Sequence, residues 1–309
     1  MILCIGTTPA AQRTMVFRRL VLDEVNRAAT TTDGIAGKSF NVAKVLKALG
    51  EEPLATGFLG GDRGEELRAG LAARGIQLEF VSVTVRTRQC ITVIDESGGA
   101  HTELVEESKP VAEADYEKLM AIIRRRMPES KAVIMSGSLT PGGPTDLYFR
   151  CTQLAEQAGA FSVVDAQGQP LLEGLKARPG LVKPNRSELA ASTGRHLKDE
   201  AAVMSAMREL HDRGAQRVVV TAGKEPALAF DGATFWKISA PLIKPVNPIG
   251  SGDSFTGATV SRLLRGDDLG EACRWGSAAG AANALTLMAG EVERSEVERL
   301  VRESKAEKL

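Results

Sequence analysis

Six short apolar runs recur along this chain, separated by segments with helical spacing, and that alternation restricts the possible architectures more than any other property. The runs are Ile2–Gly6, Leu54–Phe58, Ala132–Ser136, Phe161–Asp165, Gly180–Lys183 and Arg217–Thr221. They are apolar along their length and not at alternate positions, the pattern of strands covered on both faces. Helical spacing lies between them, as in Val42, Val45, Leu46 and Leu49, closed by Gly50, and in Asp115–Met127. Strand–helix–strand units repeated in this way predict a mostly parallel sheet with helices on both faces. With 309 residues, 43% hydrophobic, the chain can bury such a sheet.

Two regions break the alternation. Residues 14–33 and 89–106 alternate apolar and polar positions, and Ser97-Gly98-Gly99 between Gln89–Asp95 and Ala100–Glu106 signals a hairpin. These segments predict a small β-layer apart from the parallel sheet. A second hairpin is expected from Ala227–Phe230, Asp231-Gly232 and Thr234–Ile238. Ligands of open α/β sheets bind at the carboxyl ends of strands, so polar clusters there are the candidate site.

Composition narrows the partners. Acids and bases balance to a net charge of zero, which points to neither nucleic acid nor an anionic membrane. Arg124-Arg125-Arg126 reads as the solvated end of a helix. Cys4, Cys90, Cys151 and Cys273 lack paired spacing, as expected of buried thiols in a reducing compartment. Met1–Gly6 reads as a first strand and not as a signal peptide, and no apolar run approaches the ~20 residues of a bilayer span. A cytoplasmic protein is expected.

The densest chemistry lies in residues 247–258, Asn-Pro-Ile-Gly-Ser-Gly-Asp-Ser-Phe-Thr-Gly-Ala. Gly250, Ser251 and Gly252 form a turn that runs into a helix carrying Asp253 in its first turn. Free amides and the helix dipole attract an anion there, and small residues allow its close approach. An aspartate beside that anion needs another task, such as taking a proton from an attacking hydroxyl. Together these features suggest phosphoryl transfer. The same residues also fit an ordinary loop closure with an acid near a helix N-terminus.

The full twelve-residue string resembles the C-terminal signature of the ribokinase-like (PfkB-type) sugar kinases. Ala36-Gly37-Lys38-Ser39-Phe40-Asn41 is similar to their N-terminal signature, with Ala36 and Ser39 in place of two usual glycines. Lys183-Pro184-Asn185-Arg186-Ser187-Glu188 matches their Asn-x-x-Glu motif, and Thr221-Ala222-Gly223-Lys224 their nucleotide-binding turn, with Pro226 where a glycine is usual. Nearly the whole chain shares the likeness, most closely with the 1-phosphofructokinase and tagatose-6-phosphate kinase branch. Where that branch usually has Asn-Pro-Ala-x-Asp, this chain reads Thr8-Pro9-Ala10-Ala11-Gln12. Gln12 both donates and accepts but carries no charge.

The resemblance implies a ribokinase-like three-layer α/β sandwich over residues 1–309, with a β-sheet lid from about 10–35 and 86–108. It implies ATP and Mg²⁺ and leaves a monovalent cation as an open further requirement. Asp253 would be the base, with Gly250, Ser251 and Gly252 as the anion hole. Gln12, Arg27, Gly37, Lys38, Asn41, Arg88 and Ser138 would bind the acceptor. Lys183, Asn185, Thr221, Gly223, Lys224 and Asn283 would bind ATP, and Glu188 with Asn185 the metal. Arg27 and Arg88 point to a phosphorylated ketohexose, of the fructose 1-phosphate or tagatose 6-phosphate type; both also fit edge charges that discourage strand pairing. Pairing of two lids predicts a homodimer. Two other readings stay open: a kinase for an unphosphorylated sugar or nucleoside, and a regulator that binds sugar or nucleotide without catalysis.

Overall fold

The computed structural model describes residues 1–309. The chain opens with β1 (Ile2–Gly6) and leaves the main sheet for β2 (Ala10–Phe17) and β3 (Thr30–Ala36). Helix α1 (Lys38–Ala48) returns it to β4 (Pro53–Leu59), and α2 (Gly61–Ala73) leads to β5 (Gln77–Ser82). The hairpin β6 (Arg88–Asp95) and β7 (Ala100–Val105) follows. Then come α3 (Glu113–Arg126), β8 (Ala132–Ser136), α4 (Leu147–Ala158), β9 (Phe161–Asp165), α5 (Gly168–Leu175) and β10 (Leu181–Val182). Helices α6 (Arg186–Thr193) and α7 (Glu200–Asp212) precede β11 (Val218–Ala222), β12 (Glu225–Phe230) and β13 (Phe235–Ser239). The chain ends with α8 (Ser251–Leu263), α9 (Leu269–Ala284), α10 (Arg294–Val301) and β14 (Lys305–Lys308).

Ten strands form one sheet in the order β14-β13-β12-β11-β10-β9-β8-β1-β4-β5. From β5 to β11 every pairing is parallel, and β12 to β14 add an antiparallel edge. Both faces are covered. Leu3 and Ile5 belong to a cluster of 33 buried residues on one side, whereas Ile2 and Cys4 belong to a cluster of 26 on the other. This explains why the strand signals are continuous: successive side chains point to opposite faces, and both are dry. A third cluster joins α1, α8, α9 and α10 through small residues such as Ala258, Ala278 and Ala282. At Gly257 a Cβ would lie 3.1 Å from Val45 Cγ1, so α1 and α8 lie close together because that position is glycine.

A separate four-stranded sheet has the order β3-β2-β6-β7. The hairpin expected over 89–106 is present, with Asp95 opposite Ala100. The alternating stretch at 14–33 resolves differently: its strands cover 10–17 and 30–36, and 18–29 is a loop. Strand β2 pairs antiparallel to β3 but parallel to β6, so the layer is mixed. The Asp231-Gly232 hairpin forms as expected, and Gly223-Lys224 closes a further hairpin between β11 and β12. Helix α9 starts where Asp268 accepts from Glu271 N at 2.8 Å and ends at Ala284. No helix is long and apolar enough to cross a membrane.

Candidate active site

A cavity of about 320 Å³ opens between the four-stranded sheet and the carboxyl ends of the parallel strands. Helices α1 and α8 both begin on it. Their N-caps are Gly37 (φ +113°) and Gly250 (φ +86°), and neither has a side-chain cap. Both glycines are required by backbone conformation. They are also required by space: a Cβ would lie 2.9 Å from Pro9 Cα at Gly37 and 2.7 Å from Ala289 Cβ at Gly250. Uncapped first-turn amides therefore face the cavity from two helices, a favourable place for an anion. Gly250, Gly252 and Asp253 line the cavity, as do Gly37, Lys38 and Asn41.

Asp253 is 8% exposed, and Asn41 Nδ2 donates to its Oδ2 at 2.8 Å. Burial raises its carboxyl to about 6, with Lys38 and Asn41 opposing the rise and Asp165 adding to it. Above that pH the group is a carboxylate able to accept a proton. Behind it Asp165, at the end of β9, is completely buried. Its oxygens meet Lys183 Nζ at 3.2 Å, Lys38 Nζ at 3.2 Å and the Thr256 hydroxyl at 2.9 Å. Burial alone would raise its pKa; the two ammonium groups and the Thr256 hydrogen bond bring it below the usual carboxylate range.

Lys38 Nζ also donates to Glu188 Oε1 at 2.9 Å. The other oxygen of Glu188 accepts from Asn185 N at 2.8 Å, and Asn185 Oδ1 accepts from Glu188 N at 2.9 Å, a capping box at the start of α6. Glu188 is thereby fixed with one oxygen toward the cavity. On the opposite wall the four-stranded sheet presents Gln12, Arg88 and Glu103. Gln12 Nε2 donates to Thr92 Oγ1 at 2.6 Å, while Gln12 Oε1, Asn41 Oδ1 and Arg88 Nε are buried without partners.

Several expected positions differ from this arrangement. Lys38 pairs with Asp165 and Glu188 on the α6 side and not with the lid. Asn283 is fully buried; its amide donates to Ile249 O at 2.9 Å and its oxygen accepts from Gly290 N at 2.6 Å. It therefore ties the glycine turn to the loop after α9. Arg27 is exposed on the 18–29 loop, and Ser138 contributes its carbonyl to Thr7 and Thr8; neither lines the cavity. Ser251 also lies off the lining, with its hydroxyl on Asn283 Nδ2 at 3.3 Å. Thr221 and Lys183 line the cavity, and Gly223 and Lys224 are exposed in the hairpin turn beyond Thr221. Asp165 and Glu103 were missed. An acid closing a buried strand was the available signal for Asp165; Glu103 had none beyond its place in an alternating stretch.

Comparison with known proteins accounts for this constellation. Residues 1–293 match the pfkB family carbohydrate kinase profile. The chain belongs to that family. Tagatose-6-phosphate kinase of Staphylococcus epidermidis is 30% identical over 295 residues, 94% of each chain. The crystal structure of Escherichia coli phosphofructokinase-2 in complex with fructose-6-phosphate has a TM-score of 0.85 at 27% identity, covering 97% of this chain and 98% of that one. Arabidopsis thaliana ribokinase, complexed with ribose and ATP, shares the fold at a TM-score of 0.77 and 21% identity, over 97% of this chain and 98% of that one. The pfkB-family chain is thus a sugar kinase with the ribokinase-like α/β fold, and ATP is the co-substrate the family implies.

Proposed function

We propose that this kinase transfers the γ-phosphoryl group of ATP to a hydroxyl of a ketohexose phosphate. The observation that carries the reading is one cavity that holds Asp253, two uncapped helix N-termini and the unpartnered Arg88 Nε. The names of the relatives, a tagatose-6-phosphate kinase and a phosphofructokinase, support the acceptor class.

In this reading the acceptor lies between the lid and Asp253, contacted by Gly37, Gln12 and Asn41, with its phosphate on Arg88. Asp253 takes the proton of the attacking hydroxyl as its oxygen bonds to the γ-phosphorus. The bond from phosphorus to the β-phosphate oxygen breaks, and ADP leaves. Amides at Gly250–Gly252 and the Lys38 ammonium hold the transferring group, whose charge is spread over its oxygens. Lys183 keeps Asp165 ionised and Lys38 oriented. Thr221, Gly223 and Lys224 border the nucleotide; Arg27, Ser138 and Asn283 have no direct contact with either substrate. The four-stranded sheet excludes water, the competing acceptor.

Magnesium fits as an ion carried by the nucleotide. No three acid, histidine or cysteine side chains converge on one point, yet Glu188 presents an oxygen beside Asn185, which suits an ion that keeps waters and phosphate ligands. When bound it would neutralise phosphate charge. A monovalent cation requirement belongs to the same proposal and is read by comparing turnover in potassium and tetramethylammonium buffers. Val21, Leu22 and Val25 on the 18–29 loop and Leu104 on β7 are exposed, so two lids pairing in a homodimer would cover them. Sedimentation velocity reads that state. Use of ATP and buried free thiols both suit the cytoplasm.

The test is an acceptor panel with ADP release and product identification. Turnover of fructose or tagatose phosphates supports the reading. Turnover confined to neutral sugars or nucleosides overturns the acceptor class, and ligand binding without turnover overturns the activity.

A further inference from the structure

The lid carries a carboxylate for which the fold has no use. Glu103 lies on β7 directly opposite Thr92 on β6, and Thr92 lies opposite Thr14 on β2. Directly paired residues share a sheet face, so Glu103 and Thr92 point the same way. Gln12, two residues before Thr14, is on that face as well, and its Nε2 bonds to Thr92 Oγ1 at 2.6 Å. Gln12, Glu103 and Arg88 line the cavity that contains Asp253. The Glu103 carboxylate is exposed and makes no hydrogen bond and no ion pair within the chain, unlike Asp33, which pairs with Arg13, Glu106 with Arg63 and Asp95 with Ser97. Gln12 Oε1 and Asn41 Oδ1 are buried acceptors without donors in the same cavity.

A polyol differs from other ligands in offering several hydroxyl donors at fixed stereochemistry. Three idle acceptors, one of them charged, in front of a proton-accepting aspartate form a complementary surface for it. A charge-assisted hydrogen bond to a hydroxyl is stronger than a neutral one, and a site built to hold a hydroxyl rejects the analogue that lacks it. We propose that Glu103, with Gln12 beside it, binds secondary hydroxyls of the acceptor and sets which epimer is phosphorylated. This deepens the ketohexose phosphate reading and rests on it.

The test compares fructose 6-phosphate and tagatose 6-phosphate, which differ at one carbon, using wild-type protein, Glu103→Gln, Glu103→Asp and Thr102→Ala. Thr102 is the neighbour whose side chain points to the other face of the lid. The expected result is an acceptor KM raised about tenfold in Glu103→Gln, with the ratio of kcat/KM for the two epimers moving toward one. The KM for ATP stays within twofold, Glu103→Asp recovers part of the loss, and Thr102→Ala matches wild type. If wild type discriminates between the epimers and Glu103→Gln discriminates equally, with an unchanged acceptor KM, the assignment of Glu103 is wrong while the ketohexose phosphate reading stands. A loss shared equally by the acceptor and ATP, or by Thr102→Ala, overturns it in favour of a structural role. If wild type phosphorylates neither ketohexose phosphate, both readings fall.

Discussion

Replacing Asp253 by asparagine should make the protein more stable while removing its activity, because the structure holds this acid against its own preference for water. Its carboxyl is raised from 3.8 to about 6, with burial the largest cause. A group whose folded-state pKa exceeds its unfolded value favours the native state below the unfolded value and loses that contribution as pH rises through the folded one. Above pH 6 the native state therefore carries an ionised group in a poor environment. Two pKa units correspond to about 3 kcal/mol, an upper bound on that cost. The introduced amide still accepts the bond from Asn41 Nδ2, and its own N–H offsets part of the gain. Asp253→Asn is thus expected to gain ~1–3 kcal/mol at pH 8, or on the order of 2–6 °C in Tm, and nothing at pH 4. Turnover should fall about 10²- to 10⁴-fold. Thermal melts of both proteins from pH 4 to 8, beside an ADP-release assay, supply the measurement. A variant less stable than wild type at pH 8, or an offset that does not shrink toward pH 4, refutes the reasoning.

The remaining predictions concern the supports of this acid. Lys38→Met removes the main opposing charge from Asp253, so the acidic limb of the kcat/KM profile should move above about 6, with turnover reduced at every pH. Gly290 has φ +72°, and a Cβ there would lie 2.7 Å from Asn41 Cα; Gly290→Ala should displace Asn41 and lower kcat about tenfold with little change in the KM for ATP. Asn185→Ala breaks the capping box at α6, with an expected loss of ~1 kcal/mol in denaturant melts and a higher magnesium concentration for half-maximal rate. Lys44 is buried on the Ile35 and Ala289 carbonyls, and burial lowers it to about 8. Between about pH 8 and 10.5 the unfolded chain binds the extra proton, so stability there should rise with pH in wild type and less so in Lys44→Met.

The parts of the fold visible in the sequence are those in which one local pattern decides the outcome. β1, β8 and β9 fall on the expected runs because strands buried on both faces need unbroken apolar sequence. The exposed loop at 18–29 falls inside the stretch expected to be strand; pairing, which sequence does not display, decides where β2 and β3 end. The site divides in the same way. Gly250, Gly252 and Asp253 are adjacent in sequence and their relation is local. Asp165 and Lys38 are 127 residues apart, and only the register of β9 beside β8 and the start of α1 brings them together. Asn283 shows the converse: an asparagine on a helix of small residues resembles an exposed ligand group, yet its bonds to Ile249 and Gly290 make it the tie behind the glycine turn.

The charges in the cavity explain why its glycines matter as much as its acids. Lys38, Lys183 and Arg88 face Asp165, Glu188, Asp253 and Glu103, three cations against four carboxylates. Lys183 is committed to Asp165, and Lys38 is shared between Asp165 and Glu188. Side chains alone therefore offer an incoming triphosphate no net attraction. The attraction must come from what the nucleotide brings and from the backbone. Two helices start at the cavity, both from glycines at positive φ and both without a side chain over their first amides. A capping serine or aspartate at either position would satisfy those amides and leave Arg88 as the cavity's only positive group not matched by an acid. The same absence of a cap that leaves α1 and α8 weaker as helices makes them the part of the wall able to hold a phosphoryl group.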